Sequence, residues 1–138
     1  MARIMAIDFG RVRTGLAVTD TLQITANGLA TVETPLLEAY LKEYFSREEV
    51  EKVVIGFPKT LQNEPAEVTK QIVPFVNRLR QLFPDKEIVY LDERYTSKMA
   101  FQTMIDSGIS RKARQNKGLI DKIAATIILQ NYLESQQF

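Results

Sequence analysis

The first apolar segment of the chain alternates between the two faces of an extended strand. Around the strand at 3–8 every second residue shares a side, so that one side carries Ile4, Ala6 and Asp8 and the other carries Met5, Ile7 and Phe9. Segment 10–15 begins and ends with glycine, which predicts a hairpin connection. We therefore expect strands at 3–8, at 16–19 and, after a further turn, at about 29–33.

The rest of the chain switches between helical and strand spacing of its apolar residues. Pro74 lies inside the second helical segment, where a proline removes a helical hydrogen bond, so we expect a kink or a split there. Next along the chain are a helix over about 36–45 with Pro35 in its first turn, a strand over 52–55 stopped by Gly56-Phe57-Pro58, and a helix from about Pro65 capped by Asn63 or Glu64. A strand over 87–91 follows, then a helix from Thr96 or Ser97 to Ser107 ended by Gly108, a basic segment over 110–117 and a final helix over about 118–132.

This order of elements is typical of an α/β protein. Three adjacent strands followed by helix, strand, helix, strand and two helices predict a mixed five-stranded sheet, with the first three strands antiparallel and the later two parallel. We expect helices on both faces of the sheet. The length of 138 residues fits a single domain that spans residues 1–138.

The absence of two residue types restricts the chemistry. The chain has no cysteine, which excludes disulfides, thiol catalysis and cysteine-ligated zinc. It has no histidine, which excludes Ser-His-Asp and Cys-His catalysis and histidine metal sites. Acid–base chemistry must therefore use Asp, Glu, Lys, Tyr or a metal-bound water.

Charge and hydropathy are those of an ordinary globular chain. The net charge is +1, which does not indicate a nucleic-acid partner, although a neutral protein can still present a basic face. No apolar run approaches the roughly 20 residues that span a bilayer, and the N-terminal residues lack signal-peptide architecture. We expect a cytoplasmic protein with no membrane partner.

Three acidic residues stand out because each ends or begins an apolar segment. Asp8 closes the first strand, Glu93 follows the strand at 87–91, and Asp121 lies near the start of the final helix. A carboxylate among apolar neighbours costs free energy unless a cation or a hydrogen bond compensates it. Mg²⁺ takes oxygen ligands, and two-metal phosphoryl chemistry, with ions about 3.5–4 Å apart, needs such a cluster. The pattern predicts a metal-dependent nuclease.

Taken alone, Asp8-Phe9-Gly10 is better explained as a turn, since Asp and Gly are common turn residues. The following Arg11 and Arg13 bring positive charge beside the carboxylate, and the backbone N–H groups of this loop are suited to hold a phosphate. The segment is not a P-loop, because Gly15 is followed by Leu16-Ala17 instead of Lys and Ser or Thr.

Glu93 competes with its neighbour Asp92 for the same role. The two side chains should point to opposite faces of the strand, so only one reaches the Asp8 site, and we choose Glu93. The structural alternative is that Glu93 pairs with Arg94 or a nearby lysine while Thr96 caps a helix. The functional interpretation places Glu93 at the carboxyl end of a strand, where open α/β sheets bind their ligands.

Asp121 carries the clearest geometric signal. At about 100° per residue, Ala124, Ala125, Ile128 and Tyr132 cluster around its direction. Asp121 therefore shares the helix face that we expect to pack on the sheet. An interaction with the helix macrodipole, about 0.3–1 kcal/mol, explains an acid near a helix N-terminus but not one that faces inward.

The segment before Asp121 is strongly basic. Most charge runs are solvated loops, but this one is placed to hold a phosphate backbone near the metals, and such contacts supply most of the sequence-independent affinity for nucleic acid. The candidate nucleic-acid-binding residues are Arg11, Arg13, Arg94, Arg111, Lys112, Arg114 and Lys117.

Four motifs taken together resemble one family. In chain order they are similar to motifs of the YqgF/RuvX family, small bacterial proteins of the RNase H-like superfamily described as Holliday-junction resolvases or pre-16S rRNA nucleases. The resemblance covers essentially the whole chain. The motifs are Ile7-Asp8-Phe9-Gly10 with Arg13-Thr14-Gly15-Leu16-Ala17-Val18, Gly56-Phe57-Pro58, Asp92-Glu93-Arg94-Tyr95-Thr96-Ser97, and Ile120-Asp121-Lys122-Ile123-Ala124-Ala125.

The resemblance implies an RNase H-like fold with Asp8, Glu93 and Asp121 as metal-binding carboxylates. It also implies a cytoplasmic role in processing the 5′ end of 16S rRNA, with precursor rRNA, pre-ribosomal particles or branched DNA as partner. Residues 59–65 and Pro74 depart from the family pattern, which leaves the substrate contacts of that loop open.

Our mechanistic hypothesis is that Asp8 bridges two Mg²⁺ or Mn²⁺ ions, while Glu93 and Asp121 complete one coordination shell each. The alternatives are a Holliday-junction resolvase, which would ordinarily require a symmetric dimer, and a non-catalytic RNA-binding ribosome-assembly factor. A nucleotide-binding ATPase ranks last, because the chain has the length of only one of the two domains it needs. The sequence does not decide between monomer and homodimer, or between endonuclease and exonuclease.

Overall fold

Five strands and three α-helices make up the part of the chain that the structure describes. The computed structural model describes residues 2–58, 69–93 and 117–136, with the backbone alone at positions 58, 93, 117 and 118. None of the described helices combines the length and the apolar character that crossing a bilayer requires. The elements are β1 (Arg3–Asp8), β2 (Arg13–Thr19), β3 (Ala26–Glu33), a 3₁₀ turn (Thr34–Leu36), α1 (Leu37–Arg47), β4 (Val50–Pro58), α2 (Thr69–Leu82), β5 (Glu87–Glu93) and α3 (Lys117–Ser135).

The five strands form one mixed sheet in the order β3-β2-β1-β4-β5. β1 pairs antiparallel with β2, and β2 with β3, whereas β4 is parallel to both β1 and β5. The predicted arrangement of three antiparallel strands and two parallel ones is confirmed. β1 is the central strand of the sheet, so Asp8, its last residue, lies in the middle of one edge of the sheet.

Several strands are longer than their apolar runs predict. β2 begins at Arg13, because that residue pairs with Glu33 of β3 across the hairpin. The prediction that residues 56–58 stop β4 is wrong, since parallel pairing with β5 continues to Pro58. The ends of β2 and β4 are therefore set by backbone hydrogen bonding and not by the apolar content of the segment, because every backbone N–H and C=O group needs a partner.

Alternation along the strands divides the core into two layers. Met5 and Ile7 of β1 are buried under α1 and α2, whereas Ile4 and Ala6 are buried under α3. Helices on both faces are thus confirmed. Because Asp8 continues the series of Ile4 and Ala6, it belongs to the α3 face of the sheet.

α3 packs mainly on β1, β2 and β3. The face predicted to pack on the sheet is buried, including Ala125, Ile128 and Tyr132. Lys52 of β4 donates a hydrogen bond from Nζ to the Tyr132 hydroxyl, 2.6 Å away, and this bond raises the pKa of Lys52. The helix that carries Asp121 is therefore anchored to the sheet along its length.

α2 is continuous through Pro74 from Thr69 to Leu82, so the predicted split does not occur. Pro74 is exposed, and a solvent-facing position is where a helix tolerates the loss of one backbone N–H. The predicted start of this helix near Pro65, the helix over 96–107 and the basic residues 110–116 lie outside the described residues.

Candidate active site

Asp8 ends β1 on the face that α3 covers. It lies directly opposite Gly15 of β2 in the antiparallel register, and residues opposite each other in such a pair share a face. Ala6 and Ala17, the pair two residues earlier along β1, show the same arrangement, because both are buried under α3. The Asp8 side chain is half-buried.

Gly15 brings the start of α3 onto this end of the sheet. A methyl group at position 15 would overlap the backbone carbonyl of Asp121, so a glycine is needed for the helix to approach this closely. Asp8 lies opposite Gly15, and Asp121 lies against it. The structure therefore brings two of the three predicted carboxylate residues to one place.

A Gly15→Ala substitution should destabilise the protein by about 1–3 kcal/mol, the usual cost of forcing a group into a packed interface. The clash is with helix backbone, which cannot rotate away. Urea unfolding measures the loss. Gly28→Ala is the matched control, because its methyl group would lie 2.9 Å from Cγ of Lys122, on a flexible side chain that can move. Equal stability of the two variants would contradict the packing argument.

Arg13 forms an ion pair with Asp121. Its Nε lies 3.1 Å from Oδ2 of Asp121, and the two side chains are 35% and 23% exposed. At such exposure an ion pair adds about 0–1 kcal/mol to stability, so its main consequence is to orient the carboxylate. The sequence pattern assigned Arg13 to nucleic acid and missed this pair. Alternation along β2 could have indicated this pair, because it places Arg13 on the same face as Gly15, against which Asp121 packs.

The third predicted carboxylate residue, Glu93, ends β5 in register with Pro58. Its side chain lies outside the described part of the chain. Val89 and Leu91 face α3. If the alternation continues, position 93 is expected on the α3 face and the exposed Asp92 on the other, and this stays a prediction. Among the side chains that the structure describes, no three metal-binding groups cluster closely enough to hold an ion.

Only two of the seven predicted nucleic-acid-binding side chains fall in the described part of the chain. Arg11 is exposed, and Arg13 is held by Asp121. In the loop predicted to bind phosphate, the Gly10 N–H donates to Thr14 Oγ1 at 3.5 Å, so this group is used within the protein. The side chain of Lys117 and residues Arg94, Arg111, Lys112 and Arg114 lie outside the described residues.

The chain matches one family model over nearly its full length. Residues 2–135 match the model described as RuvX, Holliday junction resolvase. A protein of Flavobacterium johnsoniae is 55% identical over 138 residues, which cover 100% of both chains. One of Bacteroides thetaiotaomicron is 53% identical over 138 residues, again 100% of both. Each of these proteins carries the name "Putative pre-16S rRNA nuclease".

Solved structures of RuvC share the fold. T. thermophilus RuvC in complex with Holliday junction substrate matches with a TM-score of 0.58 at 16% identity, covering 99% of this chain and 96% of that one. A second Thermus thermophilus RuvC structure matches with a TM-score of 0.54, also at 16% identity, covering 98% and 96%. The predicted RNase H-like fold is confirmed, and at this identity the likeness concerns the fold alone.

Proposed function

The chain belongs to the RuvX family, and from this premise we propose that it is a metal-dependent nuclease that processes the 5′ end of precursor 16S rRNA. The names of relatives 55% and 53% identical support the RNA substrate. The observation that carries the proposal is that Asp8 lies opposite Gly15 at the end of the central strand, while the backbone of Asp121 packs against the same glycine. The cytoplasmic location expected from the sequence and a contact with pre-ribosomal particles belong to the same proposal.

The donor set fits a hard divalent cation. Asp8 and Asp121 supply carboxylate oxygens, which suit Mg²⁺ and Mn²⁺, and the chain has no histidine or cysteine to favour a softer metal. We assign Asp8, Asp121 and Glu93 as the residues that would hold two such ions. Bound there, the metal would stabilise charge on the phosphoryl oxygens and lower the pKa of a nucleophilic water.

Arg13 has two successive roles in this proposal. In the protein alone it balances the charge of Asp121, which lowers the repulsion between neighbouring carboxylates. With a cation held by Asp121, the Arg13 guanidinium would be available to a substrate phosphate, a group that guanidinium binds well in bidentate geometry. Arg11 lies two residues earlier and is exposed. It adds a second positive charge for binding the same nucleic-acid backbone.

A Holliday junction is the second candidate substrate, favoured by the description of the family model. The junction is two-fold symmetric, so its resolution would ordinarily require a symmetric dimer. A protein that stays monomeric when bound to substrate would therefore fit the RNA better than the junction.

Parallel cleavage of two labelled substrates tests the proposal. One is a 5′ fragment of precursor 16S rRNA and the other a four-way DNA junction, each with Mn²⁺ or with EDTA. We expect Mn²⁺-dependent cutting of the RNA and much slower cutting of the junction. Preferred cutting of the junction would move the assignment to a resolvase. If the protein bound RNA but cut neither substrate, the proposal that it is an enzyme would be contradicted, and a non-catalytic assembly factor would be favoured.

A further inference from the structure

A closed ring of hydrogen bonds links the turn between β1 and β2 to the side chains of Thr14 and Thr34. The N atom of Gly10 lies 3.5 Å from Thr14 Oγ1, and Thr14 Oγ1 lies 3.0 Å from Thr34 Oγ1. Thr34 Oγ1 in turn lies 2.6 Å from the carbonyl oxygen of Gly10. Thr14 is fully buried. Two threonines thus bind both backbone groups of one turn residue.

Each hydroxyl has a single proton, and this fixes the directions of the bonds. Thr34 Oγ1 donates to the Gly10 carbonyl, so Thr14 Oγ1 donates to Thr34 Oγ1 and accepts from the Gly10 N–H. In such a ring the bonds polarise and strengthen one another. A further bond, from Thr34 N to the Val12 carbonyl at 2.9 Å, holds the other end of the turn.

The turn held in this way presents a positive charge and an apolar surface side by side. Arg11 is exposed, and Val12 is 65% exposed. Thr14 lies on the α1 face of the sheet, in the alternating series of Leu16, whereas Asp8 lies on the α3 face. The Thr14 side chain therefore lies on the opposite face of the sheet from Asp8.

We propose that Thr14 and Thr34 are positioning residues for the nucleic-acid substrate. They hold the turn so that Arg11 meets a backbone phosphate and Val12 packs against the adjoining sugar. The inference rests on the proposed function, because it presumes a nucleic-acid substrate. A loop that is already ordered binds more tightly than one that must be ordered on binding, and a buried ring behind an exposed turn supplies that order.

Thr14→Val and Thr14→Ser separate the hydroxyl from the shape of the side chain. Valine keeps the branched shape but leaves the Gly10 N–H without its acceptor, whereas serine keeps the hydroxyl. The Kd for a labelled 5′ fragment of precursor 16S rRNA is measured by fluorescence anisotropy in EDTA, and KM and kcat are measured in Mn²⁺. We expect Thr14→Val to raise Kd and KM about tenfold with kcat unchanged, and Thr14→Ser to bind like the wild type.

Amide hydrogen exchange at Gly10 gives a second readout that needs no nucleic acid, and we expect faster exchange in Thr14→Val. If that variant does not fold, Thr34→Val breaks the same ring at a less buried position. Unchanged Kd and KM in the valine variant, or a serine variant as weak as the valine one, would overturn the proposal. A wild type that binds RNA without cutting it refutes the nuclease alone, because the Kd comparison still decides this inference. A wild type that binds neither this RNA nor a four-way DNA junction overturns both.

Discussion

An Asp8→Asn variant should fold like the wild type and cleave nucleic acid about 10²–10³-fold more slowly. The amide keeps the size of the side chain but loses the negative charge that holds a divalent cation. A metal ion supplies several kcal/mol of transition-state stabilisation, and each 1.4 kcal/mol changes the rate about tenfold. Initial rates at saturating Mn²⁺ and RNA measure the loss.

Asp85→Asn is the matched control for this substitution. Asp85 precedes β5 at the opposite end of the parallel strands, and its side chain is 77% exposed. The same chemical change there should leave the rate within about twofold, as exposed positions usually tolerate substitution. If Asp8→Asn cut RNA as fast as Asp85→Asn, Asp8 would have no part in the chemistry.

The second large effect distinguishes two adjacent acids. Glu93→Gln should reduce cleavage about as strongly as Asp8→Asn, by about 10²–10³-fold, whereas Asp92→Asn should remain active. The reason is alternation, which assigns position 93 to the face of Asp8 and Asp121 and position 92 to the other face. Cleavage rates of both variants, with unfolding curves to establish that each is folded, make the comparison.

The opposite result would be informative as well. Loss of cleavage in Asp92→Asn with activity retained in Glu93→Gln would show that the strand presents the other acid to the site. Asp92 would then take the place of Glu93 beside Asp8 and Asp121, and the end of β5 would depart from the alternation of its earlier residues.

Period-two and helical patterns in the sequence predicted the α/β class and the mixed sheet, whereas the RNase H-like fold was predicted from the family resemblance. Alternation along β1 predicted that Ile4 and Ala6 share one side, which α3 covers in the structure. Helical spacing predicted that Ala125 and Ile128 share the buried face with Asp121. These patterns are local, so one chain segment carries the whole signal. Strand ends were less predictable, because pairing extends β4 to Pro58 regardless of its composition.

Contacts between distant segments could not be predicted in the same way. Gly15 against Asp121 joins residues more than one hundred positions apart, and only the register of the assembled sheet brings them together. The Arg13 ion pair follows from that same contact. The ring of Thr14 and Thr34 also depends on where β3 ends relative to β2, which no local pattern states.

Binding of Mn²⁺ in the absence of nucleic acid tests most directly the central claim that Asp8 and Asp121 form one metal site. The measurement is a titration of Mn²⁺ into the wild type, Asp8→Asn, Asp121→Asn and the control Asp85→Asn, with free Mn²⁺ followed by electron paramagnetic resonance. We predict that the two site substitutions each weaken Mn²⁺ binding by about tenfold or more, and that the control binds like the wild type. Undiminished Mn²⁺ binding by a folded Asp8→Asn or Asp121→Asn variant would contradict the claim.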